Sequence, residues 1–454
     1  MKKYKIIFLL LSALCSLLPA LLYSQWLETT ITVGHNPFAL VWNSINDKIY
    51  CANCGFGYRI YDSTVTVIDG ATNQVITTIK VGIGPSALIY NPINNKIYCA
   101  NSGEYPNLDS TVTVVSGTTD SVIATIRVGA GPDALTYNST NNKIYCSYSH
   151  NVTVIDGASD TVITTLQVGG GILVYNTVGN KVYSPNYFGD SISVIDGITN
   201  QLIATIPIIG YPRAFSYNPI NNKVYCAGGG YVTVIDGATN QIVTTIPVGT
   251  YPCALVYNPT NNKIYCTDAA SDNVIVIDGT TNQVITTVTV VGFPWALIYN
   301  PINNKVYCAN AAVDNVAVID GAINQVVTTI GVGSQPQVFT YNPLQNRIYV
   351  GNYHGSSISV IRDVMPGIEE ARGQMQEARR LDIYPNPAKA YFTIRLPQSA
   401  DRSLIKIFDV SGKLVKEVRG KMQETRISLD GIKNGVYFVQ VGDEMVKEKL
   451  VVTK

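Results

Sequence analysis

Repetition constrains this chain more than any other feature. A segment such as Ala-Leu-Val-Tyr-Asn-Pro-Thr-Asn-Asn-Lys-Ile-Tyr-Cys (254–266), paired with one such as Val-Thr-Val-Ile-Asp-Gly-Ala-Thr-Asn-Gln-Ile-Val-Thr-Thr-Ile (232–246), recurs from Gln25 to Asp363. A unit this small cannot bury its own apolar face, so the units must stack on one another. The Asp of Val-Ile-Asp-Gly falls at Asp69, Asp156, Asp196, Asp236, Asp278 and Asp320, with Ser116 and Arg362 in the same slot of two further copies, a spacing of about 40 to 47 residues. Thr, Val, Ile and Tyr dominate and Gly and Pro punctuate each unit, which excludes helical repeats.

Each copy holds four short strands. In the sixth they are expected over 254–258, 263–266, 274–278 and 283–288. Asn-Pro-x-Asn-Asn joins the first two, with Pro presetting φ and Asn tolerating left-handed backbone. Asp-Gly-x-x-Asn joins the last two, with Gly expected to supply the positive φ of a hairpin. In Lys-Ile-Tyr-Cys-Ala both alternating faces are apolar, so this strand is sandwiched between neighbouring sheets, as in blades around an axis. The first two strand types occur eight times each. The Thr-Thr-Ile type also occurs eight times, but its first copy (27–33) precedes everything else and the last repeat lacks one. The N-terminal strand is therefore expected to complete the last blade and close the ring. The expected fold is all-β: an eight-bladed β-propeller, or a seven-bladed one if a copy fails. The fourth copy is the weakest, because Gly169-Gly170-Gly171 replaces its linker.

These residues carry a resemblance. Strands like Ile-Tyr-Val-Gly-Asn (348–352), followed by Val-Thr-Val-Ile-Asp-Gly-Ala-Thr-Asn-Gln-Val-Ile-Thr-Thr-Ile (65–79) and a Val-Gly-x-x-Pro linker, resemble the YVTN family of β-propeller repeats over about three quarters of the chain. The resemblance implies the fold more than the function, since propellers host many unrelated tasks.

The two ends differ from the ring. Lys2, Lys3 and Lys5 precede an apolar run from Ile6 to Leu22, so residues 1–24 read as a signal peptide, with a retained anchor or a lipoprotein at Cys15 as alternatives. After Asp363 the charge density jumps, with nearly half of all Lys, Arg, Asp and Glu beyond that point, whereas residues 25–363 hold two glutamates, Glu28 and Glu104. Residues 364–380 read as a linker. Residues 381–454 read as a small immunoglobulin-like β-sandwich with five strands, over 391–396, 404–410, 424–429, 436–441 and 446–452. Within it, Tyr384-Pro385-Asn386-Pro387, Ile407-Phe408-Asp409-Val410-Ser411-Gly412-Lys413, Asn434-Gly435-Val436-Tyr437-Phe438 and the final Lys449-Leu450-Val451-Val452 resemble the type IX secretion sorting domain, with Ile432 where the family usually has Leu. That resemblance implies a Gram-negative cell, a partnership with the type IX secretion machinery, and a secreted or outer-membrane surface location after export to the periplasm. An ordinary immunoglobulin-like accessory domain is the alternative.

Catalytic chemistry is hard to find. Six cysteines, Cys51, Cys99, Cys146, Cys226, Cys266 and Cys308, share one repeat position, with Ser184 and Val350 in the remaining copies. Packed sheets lie roughly 10 Å apart and a disulfide needs Cα atoms within about 7 Å, so these are small buried side chains rather than bridges. Cys51 and Cys54 form a lone C-x-x-C. The three histidines, His35, His150 and His354, sit at non-equivalent places, so neither a metal nor a cofactor is expected. A formal net charge of +1 argues against nucleic acid. Three tryptophans are too few for the docking motifs of quinoprotein propellers, and the ring lacks the acid cluster of propeller lactonases. A monomeric binding, adhesion or structural module is expected, with an extracellular hydrolase or lactonase as the alternative.

Variation among copies points to a site. After the linker Pro stand Phe38, Ser86, Asp133, Arg213, Cys253, Trp295 and Gln337, and before it stand the aromatics Tyr211, Tyr251 and Phe293. The linker enters the innermost strand, so these side chains are expected around one mouth of the channel. Tyr58, Arg59, Tyr105, Tyr148, Tyr187, Phe188 and Tyr353 are expected on the same face. Aromatic and Arg side chains on rigid loops suit contact with a protein or a glycan; drift at exposed positions is the alternative.

Overall fold

The computed structural model of the chain describes residues 24–55, 62–104, 107–186, 189–364, 382–395, 404–409, 413–419, 424–441 and 447–453. The expected leader up to Tyr23, the linker from 365 to 380, Tyr58, Arg59, Tyr105, Tyr187, Phe188 and Gly412 lie outside the described residues. The chain divides into two compact units, one of which is Gln25–Asp363.

Alternating β-branched and aromatic residues between Asn-rich turns give that unit eight four-stranded antiparallel sheets. Blades 1 to 8 are numbered here by their innermost strands: Pro37–Asn43, Pro85–Asn91, Pro132–Asn138, Val174–Asn176, Pro212–Asn218, Pro252–Asn258, Pro294–Asn300 and Pro336–Asn342. Blade 6 continues outward through Lys263–Asp268, Asn273–Asp278 and Val284–Thr289. Successive innermost strands are neighbours, and that of blade 8 lies beside that of blade 1, so the ring closes. Blade 8 consists of Pro336–Asn342, Arg347–Asn352, Ser357–Val364 and, as its outermost strand, the N-terminal Ser24–Thr32. In blade 4 the triple glycine leaves an innermost strand of three residues.

The second strands are buried on both faces. Their tyrosines, Tyr50, Tyr98, Tyr145, Tyr183, Tyr225, Tyr265, Tyr307 and Tyr349, are fully buried between blades. Complete burial of a large apolar side chain stabilises a fold by about 1.5–3 kcal/mol, so this layer dominates the ring's cohesion. The outermost strands are half solvated and leave pairs such as Val75 and Ile76 exposed.

A second layer is polar. The Asn ending each innermost strand is fully buried. It donates its amide to the turn of the next blade: Asn43 to Asn95, Asn91 to Asn142, Asn138 to Asn180, Asn176 to Asn222, Asn218 to Asn262, Asn258 to Asn304, Asn300 to Asn346 and, across the closure, Asn342 to Asp47, all at 2.7–2.8 Å. The eight acceptors have φ between 48° and 55°, which explains Asn or Asp there. The donors' own carbonyl oxygens accept nearby turn N–H groups, as Asn43 does from Ile45 at 2.9 Å. A buried donor without a partner costs about 1–3 kcal/mol, so a closed cycle of eight favours one blade register over any slipped one.

The Asp-Gly-x-x-Asn turns differ from expectation. The positive φ falls on the last residue, Asn73, Asp120, Asp160, Asn200, Asn240, Asn282 and Asn324, and the Gly is not left-handed. The Gly is required by space. A Cβ on Gly237 would stand 2.4 Å from Asn222 Oδ1 and 2.5 Å from Asn176 Nδ2, inside the polar cycle. The left-handed residue serves the neighbouring blade: Tyr50 donates its hydroxyl to Asp120, Tyr98 to Asp160, Tyr145 to Asn200, Tyr225 to Asn282 and Tyr349 to Asn73, at 2.6–3.1 Å.

Blade 8 has no such turn, because the chain leaves it at this point, and the residues there are special. Tyr307 faces the Asp363 carboxylate without a hydrogen bond of normal geometry. Asp363 is fully buried and accepts from Asn300 Nδ2 and Gln25 Nε2, both at 2.7 Å. Arg347 replaces the repeat's Lys. It donates to both Glu28 carboxylate oxygens at 2.5 and 2.7 Å, and to the carbonyls of Gly70 and Ala71 in blade 1 at 2.7 and 2.8 Å.

Among the described residues the C-terminal unit is a sandwich of seven strands, two more than expected. Asp382–Tyr384, Tyr391–Arg395 and Glu424–Ser428 form one sheet, and Leu414–Arg419, Leu404–Asp409, Gly435–Val441 and Lys447–Val452 the other. Phe392, Ile394, Ile405, Ile407, Ile427, Val439 and Leu450 fill the core. Leu414–Arg419 is an edge strand of Leu-Val-Lys-Glu-Val-Arg, too charged to announce itself.

Candidate functional site

Carboxylates hold the linkers ahead of the innermost strands. Asp62 accepts the His35 N–H, Asp109 that of Ile83, Asp268 that of Tyr251, Asp272 that of Phe293 and Asp314 that of Gln335, at 2.7–2.9 Å. In blades 1, 2, 6, 7 and 8 the residues flanking the linker Pro are thus presented on pinned backbone at one end of the ring's inner strands.

Not all of these residues are free to recognise anything. Ser86 and Cys253 tie blades together, donating to the Pro132 carbonyl at 2.9 Å and to the Pro294 carbonyl at 3.3 Å. Burial pushes the Cys253 thiol above its ordinary range, with Thr267 and Arg213 opposing. Asp133 accepts from Ser147 Oγ at 3.0 Å. The protein packed around its carboxyl raises its pKa although the residue's surface is open to water.

The structure joins four of the expected residues into one run. The Arg213 guanidinium carbon lies 4.3 Å from the Tyr251 ring centroid, and Nη1 donates to the Tyr251 hydroxyl at 2.9 Å. The Tyr251 ring is 6.1 Å from Phe293, and Phe293 stacks on Trp295 at 5.8 Å with 17° between planes. These side chains come from blades 5, 6 and 7, because consecutive linkers stand side by side. Tyr211, on the Arg213 linker, is exposed. At the closure Phe38 of blade 1 meets Tyr353 of blade 8 edge-on at 6.1 Å, and Tyr353 lies 5.2 Å from His354. Asp133 and Gln337 stand outside both groups. Tyr148 packs on a linker too, since a Cβ on Gly129 would fall inside its ring.

Backbone conformation adds something no motif showed. Where the residue before the linker Pro is left-handed it is Asn36, Gly84, Gly131 or Gln335, and in blade 7 it is Phe293, with φ 61°. An aromatic there is strained by about 1–3 kcal/mol, and the following Pro restricts it further.

In the C-terminal unit Tyr384, Pro385, Asn386 and Pro387 are exposed. Asn386 accepts the Val451 N–H at 2.8 Å, and the neighbouring Ala388 pairs with Val451 and Thr453. Tyr437 is buried and donates to the Lys433 carbonyl at 3.0 Å, and Gly435 and Val436 open the same strand. Asn386 and the strand that Gly435 opens thus hold the last strand in place. Among the described residues no three His, Cys, Asp or Glu side chains gather as a metal site, and the cysteines are unbridged.

Comparison with known proteins separates the two units. Residues 382–453 match the family model of the secretion system C-terminal sorting domain, which marks the chain for export to the cell surface or beyond. A curated relative, beta-agarase A of Zobellia galactanivorans, is 35% identical over 65 residues, 14% of this chain and 12% of that protein's length. Among solved structures, the computationally designed Ika8 protein aligns with TM-score 0.60 and 19% identity over 74% of this chain and 99% of that one. The C-terminal WD40 domain of Sif2 aligns with TM-score 0.61 and 12% identity over 74% of this chain and 98% of that one. At these identities the likeness is one of fold, and WD40 repeats build propellers.

Proposed function

We propose that this chain is an exported recognition protein, in which a closed ring of YVTN-type blades presents a binding surface at one channel mouth to an extracellular protein or glycan. The sorting domain carries the ring through the type IX route after signal-peptide-dependent passage to the periplasm. The ring acts by binding, without catalysis.

One observation carries the binding reading. Arg213, Tyr251, Phe293 and Trp295 form a contiguous run of planar groups at positions where, apart from Phe38 and Tyr211, the other copies use Ser, Asp, Gly, Asn, Gln or Cys. Scaffold requirements do not explain them, whereas clustered aromatics and Arg are what binding hot spots use. The test is a pull-down of cell-envelope and culture components with the wild-type protein and an R213A/Y251A/W295A variant of matched stability. Loss of captured material supports the reading, and an unchanged profile refutes it.

A further inference from the structure

We infer that Arg213, Tyr251, Phe293 and Trp295 bind an acidic polysaccharide, a chain of pyranose rings bearing carboxylates. The inference rests on the recognition reading above and names its ligand class.

Arg213 carries the charge argument. Among the described residues no carboxylate lies within ion-pair distance of its guanidinium, while Asp268 and Asp272 are occupied by backbone N–H groups of the linkers. One of its five N–H donors goes to Tyr251, which leaves the fork geometry that grips a carboxylate in two places. Stacking on Tyr251 fixes the guanidinium plane before any ligand arrives.

The aromatic run carries the ring argument. Its rings succeed one another at about 6 Å, Phe293 is exposed to solvent, and an aromatic face offers a negative π-surface to partly positive C–H bonds. A saccharide ring offers such C–H groups on a flat face while its hydroxyls stay in water. Phe293 holds its place despite a left-handed backbone that the other linkers give to Gly, Asn or Gln; strain kept at a surface position points to a role for that ring. A nucleic-acid strand would need a basic groove along its phosphates, whereas among the described residues this mouth offers the Arg213 guanidinium, with Asp133 elsewhere on its rim and the carboxylates of Asp62, Asp109, Asp268, Asp272 and Asp314 turned onto linker N–H groups.

The experiment is calorimetric titration of the full exported chain with a panel of oligouronates (galacturonate, mannuronate, guluronate and glucuronate chains) and with the same oligomers after reduction of their carboxylates to alcohols. At least one acidic oligomer is expected to bind, and its reduced form about tenfold more weakly, the equivalent of one charge-assisted hydrogen bond. R213K and W295A should each weaken binding by a similar factor without lowering the melting temperature. F293N should weaken binding while leaving the fold as stable or more so. Equal binding of acidic and reduced oligomers, binding unmoved by R213K and W295A, or no binding across the panel overturns the inference. If the panel fails while R213A/Y251A/W295A still loses envelope material, the ligand class alone is wrong; if neither responds, the recognition reading falls too.

Discussion

Replacing Glu28 by Gln tests how the ring is held shut. Glu28 sits on the N-terminal strand and accepts two hydrogen bonds from Arg347, whose side chain is 8% exposed against 27% for Glu28. Breaking a fully buried ion pair costs about 3–5 kcal/mol and an exposed one less than about 1 kcal/mol. This pair lies between, and Arg347 keeps the Gly70 and Ala71 carbonyls, so we expect a loss of about 2 kcal/mol. Unfolding entropy of about 2.1 cal/mol/K per residue over the Gln25–Asp363 unit is roughly 0.7 kcal/mol/K, so the melting temperature should fall by about 3 °C. The fall should be accompanied by faster amide exchange in Ser24–Thr32 and Ser357–Val364, with blades 3 to 6 unchanged. E28A, R347M and the double variant complete a cycle whose coupling should account for most of the loss. A coupling near zero, or exchange that rises evenly around the ring, would refute the idea that this pair is the clasp.

Further predictions follow from the same geometry. Gly237→Ala should destabilise by about 1–3 kcal/mol, because its Cβ would intrude between Asn176 and Asn222. Gly331→Ala, with nothing within 4 Å of the added atom and no left-handed φ, should be neutral or stabilising by up to about 1 kcal/mol; chemical denaturation of both separates space from conformation as the reason for the Gly. Burial pushes Tyr145, Tyr183 and Tyr225 up to about 12 and the strand thiols Cys51, Cys99, Cys146, Cys226 and Cys308 well above their ordinary value. Above about pH 9 the unfolded chain releases protons that the folded one retains, so stability should decline as pH rises, read as a falling urea midpoint between pH 8 and 10.5; a flat midpoint would count against buried, neutral thiols and phenols. Removal of residues 382–453 should leave the ring in the periplasm on cell fractionation, and its arrival outside without them would refute the sorting assignment.

The blades were legible because each strand type recurs with its apolar pattern intact, and the displaced Thr-Thr-Ile copy announced the closure. The polar cycle was not. Asn43 and Asn95 are 52 residues apart, and nothing in an isolated Asn-Pro-x-Asn-Asn turn says that the first Asn reaches into the next blade. The same gap explains the misread Gly: local turn chemistry suggested φ, while the crowding comes from two other turns, one in another blade. In the mouth, comparison of copies isolated the variable positions. It could not tell Ser86 and Cys253, which tie blades together, from Arg213 and Trp295, since the distinction depends on which carbonyl stands opposite.

Departures from the repeat therefore divide by what surrounds them. Arg347 departs from Lys, Glu28 is one of two glutamates in the ring, and Asp363 stands where other blades continue into a turn; each is matched by partners found where the ring's first and last strands meet. Those departures are explained by closure alone. Phe293 and Trp295 depart equally far, but their partners are each other, Tyr251 and, through it, Arg213. Closure does not need them, since they flank Pro294 of blade 7 rather than the strands of blade 8, and blade packing does not need them, since Ser86 makes the corresponding tie with a hydroxyl. A side chain that the scaffold can replace with Ser or Gly, held at a strained φ, is best accounted for by something outside the chain. Phe293→Asn separates these cases: a residue kept for packing should lose stability when replaced, whereas one kept for a ligand should lose binding and leave the melting temperature level or higher.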